Sequence, residues 1–384
     1  MSVRKRSWTT AKGEKKEAWV VDYWHDGKRH IETYSRKKDA DAAHAKVKVD
    51  IRQGKHIAPS QSITVAEAAA LWLKSSEAAG IERASLENYA DTVRLYIAPF
   101  IGNVKLANIT VASVKSFQDR LHAAGRSQYT IKRATQMLSG IIADAMGRGL
   151  YNHNVVRDIA RTRKSHDRVA KRHKGKLKVG VDIPSPQDIG KLIEGATSPQ
   201  WRTLIILLAF TGLRISEARG LRWKNVDLAK AELHVCERAD KYLEIGRPKS
   251  ISGDRFVPLS KHVVNTLKEW KLQCPKFESD LVFPSPDGNP HHLSSIRHQC
   301  LIAAQGDKPK YTGIHCLRHF YASLCINRQQ DGGLGFPPKI VQEYLGHSTL
   351  AMTMDTYGHL FPQEVDSEVM DAAVLRVISG NRAS

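Results

Sequence analysis

Apolar residues recur at helical spacing over residues 64–149 and predict an all-α segment. Thr64 and Glu67 form a capping-box pair that fixes where its first helix begins. The expected helices cover 64–79, 85–99, 110–124 and 127–149. The positions that we expect to be buried in the last two helices are Val111, Val114, Phe117, Leu121, Ile131, Ala134, Leu138, Ile141 and Ala145.

The first 58 residues instead show the two-residue alternation of β-strands. Residues 19–24 and 30–34 alternate on either side of an Asp-Gly pair at 26–27, which is a hairpin signal. Ser35 can then cap a helix that runs from about 36 to 52. The pattern predicts a small α+β module in which a sheet packs on one helix.

The C-terminal half mixes both patterns. Ser185 can cap a helix that has Pro186 in its first turn, and the apolar run 204–210 predicts a buried helix. Segments 242–245 and 254–259 read as two strands. We therefore expect a multidomain protein, mainly α with small β elements, whose last domain is mixed α/β.

The length of 384 residues is more than one core usually holds and suggests two to three domains. Residues 57–63 read as a linker, and residues 161–178 contain nine Lys or Arg residues with one Asp and little apolar periodicity. Such a basic linker can lie along DNA phosphates. The expected domains are an α+β module at 1–58, a helical domain at 62–158, the basic linker at 159–181 and an α/β domain at 182–384.

The chain is strongly basic, with 59 Lys and Arg against 39 Asp and Glu and a net charge of +20. Such a surplus favours a polyanionic partner, and nucleic acid more than a membrane surface. The longest apolar stretch is too short to span a bilayer, and the basic start lacks the apolar core of a secretion signal. We expect a soluble, cytoplasmic protein without a membrane partner.

Five cysteines fall in the C-terminal half without a Cys-x-x-Cys pair. Histidines lie near some of them, but no ligand quartet has zinc-like spacing. We expect reduced, buried thiols, and neither a metal nor another cofactor.

Separated motifs in this half combine cations with a candidate nucleophile. Cleaving a phosphodiester requires cations to neutralise the transition state, a nucleophile, and an acid for the leaving 5′ oxygen. An arginine can bind two phosphate oxygens at once, and His315 shares a helix face with Arg318 three residues later, while His319 is expected to point elsewhere. The motif residues are Arg214, His315, Arg318, His347 and Tyr357.

Each motif residue also has an ordinary structural explanation. Arg214 could form a helical ion pair with Glu217, and histidines often pack in cores with satisfied hydrogen bonds. Tyr357 alone would usually be a packed aromatic residue. Lys249 follows the first of the two expected strands and could be an acid, a phosphate clamp or a solvated charge; its neighbours Arg247 and Arg255 give up protons less readily.

The ordered set of Arg214, Lys249, His315, Arg318, His347 and Tyr357 resembles the active site of the tyrosine recombinases, the phage integrase family. The resemblance implies that Tyr357 is the nucleophile and Lys249 protonates the leaving 5′ hydroxyl. It implies that His315 contacts the phosphate and accepts the tyrosine proton. His347 would then donate a hydrogen bond from a turn that exposes its imidazole beside a helix N-terminus.

The resemblance extends to the N-terminal half by domain pattern. Residues 1–58 resemble an arm-type DNA-binding domain, and 62–158 resemble a core-binding domain, although a plain regulatory module and a structural helical bundle would read alike. The sequence departs from the family in a long, glycine-rich loop at 327–338, which puts the presentation of Tyr357 in doubt. Candidate DNA-binding residues are Lys132, Arg133, Lys171, Arg172 and Lys174.

The family implies a site-specific recombinase that acts on double-stranded attachment sites through a 3′-phosphotyrosyl intermediate. It implies a homo-tetramer on two synapsed sites, with host or element-encoded DNA-bending or directionality factors. The module at 1–58 favours an integrase of a prophage or mobile element over chromosome-dimer-resolving, Xer-like relatives. A type IB topoisomerase-like enzyme and a non-catalytic DNA-binding regulator remain alternatives.

Overall fold

The computed structural model describes residues 1–10, 13, 15–25, 27–52, 62–163 and 176–361, together with 370, 371, 374, 375 and 378. Two compact units divide the chain, one spanning Met1–Arg172 and the other His173–Ser384. Lys171, Arg172 and Lys174, which we expected to contact DNA, lie outside the described residues.

An antiparallel sheet of order β1-β2-β3 opens the first unit. Its elements are β1 (Ser2–Thr9), β2 (Lys15–His25), β3 (Lys28–Tyr34) and the helix α1 (Lys37–Arg52). Pairing of His25 with Lys28 confirms the predicted hairpin, whereas β1 was not anticipated. Buried Val21 and Tyr23 pack with Ala40 and Val47 of α1, so this region has its own small core.

A helical bundle follows in the same unit. Its described helices are α2 (Val65–Ala78), α3 (Arg83–Thr92), α4 (Ala98–Ile101), α5 (Val111–Ala123), α6 (Gln128–Gly147) and α7 (Val155–Arg163). The Thr64–Glu67 capping box is present, as predicted. The apolar positions predicted in the last two long helices are buried, except that Val111 is 44% exposed, because the first residue of α5 faces solvent.

The helix predicted at 85–99 is interrupted. Arg83–Thr92 is α-helical, Val93–Ile97 forms a π-helical turn, and Ala98–Ile101 resumes the α-helix. Pro99 explains the break, because proline has no N–H to donate to the carbonyl four residues earlier.

Helices dominate the second unit. Its described helices are α8 (Pro186–Glu194), α9 (Pro199–Thr211), α10 (Ile215–Arg219), α11 (Lys261–Gln273), α12 (Leu293–Ser295), α13 (His315–Ile326), α14 (Pro338–Leu345) and α15 (Leu350–Tyr357). Ser185 caps α8 and Pro186 occupies its first turn, as predicted. The predicted apolar helix is α9, whose residues from Leu204 to Ala209 are all buried. It forms the centre of the core that supports the site.

Short strands complete this unit. They are β4 (Val226–Asp227), β5 (Glu232–Val235), β6 (Arg238–Ala239), β7 (Ile245–Gly246) and β8 (Arg255–Pro258). The strand expected at 254–259 is present as β8, whereas of the strand expected at 242–245 only Ile245 lies in β7; the two do not pair, because β7 pairs with β6 and β8 with β5. The Asp240 carboxylate accepts the N–H groups of Tyr242 and Glu244 and holds this segment in a turn.

All five cysteines lie within the described residues and are free thiols. Cys274, Cys300, Cys316 and Cys325 are buried and Cys236 is partly buried, so the cysteines pack much as predicted. In the described part of the chain, no helix is long and apolar enough to cross a membrane.

Candidate active site

Arg318 ties together two segments that carry motif residues. Its side chain is buried in the first turns of α13, and its guanidinium donates to the carbonyl oxygen of Gly212 at 2.6 Å and to that of Leu345. Burial, and then the charge of Arg214, lower the pKa of Arg318 to about 9. The group therefore stays cationic at neutral pH and fixes the loop after α9 against the end of α14.

Arg214 lies at the first of these segments, just before α10. Its Nη1 donates to Glu217 Oε1 at 2.9 Å, and its Nη2 donates to the carbonyl oxygen of Gly346 at 2.9 Å. The ion pair considered from the sequence is thus present, and the same side chain still reaches the second segment. The two interpretations of Arg214 are compatible.

Glu217 is the centre of an ion-pair network that sequence reasoning missed. Its side chain is 4% exposed, and besides Arg214 it accepts two hydrogen bonds from Arg255, at 2.9 and 3.2 Å. Arg255 also donates to the carbonyl oxygen of Tyr344 at 2.8 Å. Burial alone would raise the pKa of Glu217, but hydrogen bonds and charges from both arginines lower it. A buried carboxylate therefore holds Arg214 in place.

Gly346 makes the turn between α14 and His347. It ends α14 in the left-handed conformation with φ of 62°, as the expected glycine turn requires. A Cβ atom at this position would lie 2.8 Å from Arg255 Nη1 and 2.9 Å from the Ser252 carbonyl oxygen. Only glycine fits both the backbone and the space.

His347 lies inside this turn, and the expectation that its imidazole is exposed is wrong. The residue is 7% exposed, and its Nδ1 lies 2.9 Å from Thr353 Oγ1. Its ring is parallel to that of Tyr357, with centroids 6.4 Å apart. Burial, and then the charges of Arg318 and other nearby cations, lower the pKa of His347 to about 3. The imidazole is neutral at physiological pH.

Tyr357 is the last residue of α15, and it is only 1% exposed. Its hydroxyl lies 2.7 Å from His319 Nδ1. Burial raises the pKa of Tyr357 to about 12, although Arg318 and Arg214 act in the opposite direction. Desolvation therefore outweighs the neighbouring cations, which act to favour the phenolate.

The contact with His319 corrects the expectation that this residue points elsewhere. His319 is four residues after His315, and side chains at this spacing share a helix face just as those at a spacing of three do. The two imidazole rings meet edge to face, with centroids 4.7 Å apart. Burial, and then Arg318, lower the pKa of His319, which favours the neutral ring that can accept a proton from Tyr357.

His315 is the first residue of α13 and is exposed. Partial desolvation of its ring, followed by the charges of His319, Arg318 and Arg214, lowers its pKa to about 4. His315 therefore lies beside the pair of His319 and Tyr357, on the solvent side of the site.

Lys249 is exposed in the connection between β7 and β8. The 3-10 turn Ile251–Gly253 follows it and contacts the site, since Gly253 accepts a hydrogen bond from Arg255 at 3.1 Å. Lys249 therefore lies a few residues from a segment anchored in the arginine network. The two strands that flank Lys249 do not pair with each other.

The surface of α6 and the loop before α14 carry the remaining predicted features. On α6, Lys132 is exposed and Arg133 is partly buried. The long loop before α14 folds back on α13, where the N–H groups of Leu334 and Phe336 donate to the carbonyl oxygens of Leu324 and Cys325 at 2.8 and 2.7 Å. The loop thus leaves the segment of His347 and Tyr357 in contact with α13.

Comparisons with known proteins show the family of the chain. A family model described as "Phage integrase family" matches residues 186–364, and one described as "Phage integrase, N-terminal SAM-like domain" matches residues 64–122. A protein named tyrosine recombinase XerC, from Xylella fastidiosa (strain 9a5c), is 30% identical over 264 residues, which are 68% of this chain and 75% of the relative. The chain belongs to the tyrosine recombinase family. It is an enzyme of the class that cleaves and rejoins DNA.

Two other proteins resemble the chain over more of its length. A "Tyrosine recombinase XerC-like" protein of Caldanaerobacter subterraneus subsp. tengcongensis (strain DSM 15242 / JCM 11007 / NBRC 100824 / MB4) is 25% identical over 87% of this chain and 88% of its own. The Tn1549 transposon integrase, solved in complex with a circular intermediate DNA, aligns with a TM-score of 0.63 at 18% identity, over 82% of this chain and 100% of that one. The likeness to this integrase structure shows a shared fold. All the motif residues lie within residues 186–364, the range that the phage integrase family model matches.

Gly346→Ala should destabilise the second unit of this tyrosine recombinase by roughly 1–3 kcal/mol, because alanine strains the left-handed backbone and crowds the Ser252 carbonyl. Urea denaturation measures the change. Gly190→Ala is a matched control, since a Cβ there meets open space within α8 and alanine favours helix. An equal stability for both variants would contradict the packing argument.

Proposed function

We propose that this chain is the integrase of a prophage or mobile element and that Tyr357 is its nucleophile. The observation that carries the proposal is the convergence of Arg214, Arg318, His347 and Tyr357 around the end of α14. Arg318 and Arg214 each donate a hydrogen bond to a carbonyl oxygen of this segment, and His347 stacks parallel to Tyr357. Two cations and a neutral hydrogen-bond donor can stabilise the charge of the transition state, and the phenol can supply the nucleophile.

In the proposed reaction, Tyr357 Oη forms a bond to the scissile phosphorus while the bond from phosphorus to the 5′ oxygen breaks. The phenol proton passes to His319, whose Nδ1 already lies 2.7 Å from the hydroxyl, and His315 lies beside it to pass the proton on. Lys249 gives a proton to the leaving 5′ oxygen. A 5′ hydroxyl from the partner duplex then attacks the phosphotyrosyl bond, and Tyr357 recovers its proton.

The burial of Tyr357 adds a requirement. Tyr357 is only 1% exposed, so we infer that α15 shifts when DNA binds and lets the hydroxyl reach the phosphate. Once the phosphate occupies the site, Arg214 and Arg318 would have an anionic partner in addition to the carbonyl oxygens that they now contact. We infer that these arginines bind the phosphate while the Tyr357 segment moves toward it.

Recombination requires two DNA sites, and we propose that the chain acts as a homo-tetramer on two synapsed duplexes, with Lys132 and Arg133 near the phosphate backbone. DNA-bending or directionality factors from the host or the element would set the direction of exchange. The enzyme would act in the cytoplasm, at the nucleoid. In this proposal, residues 1–58 bind arm sites, residues 62–158 bind the core site and residues 182–384 carry out catalysis.

The sheet face opposite α1 supports arm binding. Trp24 is 67% exposed on this face, next to Arg29, and Arg6 lies on the same face of β1. Arg29 and Arg4 both bind the Asp22 carboxylate, which orders the cations along the sheet. A basic face with an exposed indole suits a DNA groove.

Combining Arg6→Ala with Trp24→Ala should remove DNase protection of sequences flanking the exchange site while leaving cleavage at that site within about threefold, because both side chains belong to the first unit and Tyr357 to the second. Footprinting on the element's end DNA measures this. Lys38→Ala, an exposed change on α1, is the matched control and should keep the full footprint. Equal footprints for the double variant and the control would argue against arm binding by this sheet.

The experiment that tests the catalytic proposal uses boundary DNA of the element with a label on either side of the expected cleavage position. The protein is incubated with it in EDTA and the sample is denatured in detergent. We expect protein linked to the strand that ends in a 3′ phosphate, together with a fragment that carries a free 5′ hydroxyl. Tight binding without any adduct would favour the DNA-binding regulator.

A further inference from the structure

Thr353 contacts His347 from the helix that carries Tyr357. It is fully buried in α15, four residues before Tyr357, so both side chains project from one helix face. Its Oγ1 lies 2.9 Å from His347 Nδ1. Among the described residues, this imidazole nitrogen is the hydrogen-bond partner of the Thr353 hydroxyl.

The contact decides which nitrogen of His347 can donate. A neutral imidazole carries one N–H, and the partner of one nitrogen selects which nitrogen holds the proton. If the threonine hydroxyl donates to Nδ1, the proton resides on Nε2 and the imidazole becomes a donor toward the site. In the opposite tautomer, Nε2 would present a lone pair to the phosphate, and the anionic phosphate oxygens would repel that lone pair.

Nearby charges support the neutral form. Arg318, Arg214, Arg255 and His315 all disfavour a second proton on His347, and burial acts in the same direction. Since the ring is neutral, its tautomer matters, because a doubly protonated ring would donate from both nitrogens whatever Thr353 did.

We propose that Thr353 is a positioning residue that holds His347 as the Nε2–H tautomer, aimed at the scissile phosphate, and that couples this orientation to the helix carrying Tyr357. The inference rests on the proposed function of His347, which is to donate a hydrogen bond to the scissile phosphate. A shift of α15 that brings Tyr357 to the phosphate also moves Thr353, so the donor and the nucleophile are set together.

The test measures single-turnover formation of the covalent adduct on nicked boundary DNA, with DNA affinity measured separately. Thr353→Val, which keeps the shape but removes the hydroxyl, should slow adduct formation roughly 10- to 100-fold with little change in affinity. Thr353→Ser keeps the hydroxyl and should stay within about threefold of the parent. An unchanged rate for Thr353→Val would overturn the proposal.

A double-variant comparison separates positioning from general structure. In a His347→Ala background, Thr353→Val should cause no further loss, because the side chain through which it acts is gone. A full additional loss in that background would mean that the hydroxyl supports the fold and would refute the proposal.

A second measurement does not depend on any variant being active. Nitrogen-15 NMR of the parent protein, with the His347 signals identified by their loss in His347→Ala, reports the tautomer directly. The Nε2–H form is expected, and the Nδ1–H form would overturn the inference. If the parent itself formed no adduct, the proposed function would fail, while the tautomer result would still stand by itself.

Discussion

Tyr357→Phe should abolish covalent attachment of the protein to DNA, with a loss of at least about 10⁴-fold in the rate of adduct formation. The substitution removes only the hydroxyl group, whose oxygen forms the bond to phosphorus in the proposed reaction. The ring packs with Tyr321, Val341 and Leu345 in a small core, and phenylalanine preserves that packing. The expected variant is therefore folded and binds DNA, but it does not cleave.

The measurement is the amount of protein linked to boundary DNA after incubation in EDTA and denaturation in detergent. DNA binding measured by mobility shift is the control. Tyr344→Phe is a matched variant, because Tyr344 is a partly buried neighbour whose ring packs beside the same core. It should form the adduct at the parental rate within about threefold, since the reaction does not use its hydroxyl. Adduct formed by Tyr357→Phe, or adduct that appears only with a divalent metal, would contradict the assignment of the nucleophile.

Local sequence signals predicted much of this molecule. Capping at Thr64 and Ser185, the hairpin around Gly27 and the buried helix at 204–210 follow from the residues themselves, because each depends on neighbours within a few positions. The motif arginines and His347 also meet as expected. The spacing of these residues along the chain does not by itself predict that they meet. That prediction came from the resemblance to a family.

Contacts between distant segments could not be predicted in this way. Glu217 and Arg255 are 38 residues apart, and no periodic pattern indicates that they pair. Residues 242–245 read as a strand, yet the Asp240 carboxylate accepts the N–H groups of Tyr242 and Glu244 and holds residues 242–244 in a turn, so only Ile245 joins a strand. The sequence shows which side chains can react, but the burial that raises the pKa of Tyr357 depends on tertiary packing.

His319 shows how a short-range rule can be applied too narrowly. The spacing of three from His315 to Arg318 defined a helix face, and the spacing of four from His315 to His319 belongs to the same face. The signal was therefore present in the sequence. Applying both spacings would have placed His319 on the helix face of His315, and the structure has Tyr357 in contact with His319 there.

Glu217→Ala should be the most destabilising of the substitutions considered for the second unit, at roughly 3–5 kcal/mol. The carboxylate is buried between Arg214 and Arg255, and its removal leaves Arg255, which is also buried, without its counter-ion. Urea denaturation measures the free energy of unfolding of the second unit. A loss below about 0.5 kcal/mol would show that the network contributes little.

Glu217→Gln separates charge from shape and predicts a pH dependence. The pKa of Glu217 is lowered in the folded protein, so its ion pairs stabilise the fold fully above the ordinary glutamate pKa of about 4.3. That contribution is lost as the pH falls through the lowered folded value. The parent should therefore be more stable than Glu217→Gln at neutral pH, and the difference should shrink as the pH falls below about 4. A difference that stayed constant from neutral to acidic pH would place the effect of Glu217 in its shape and not in its charge.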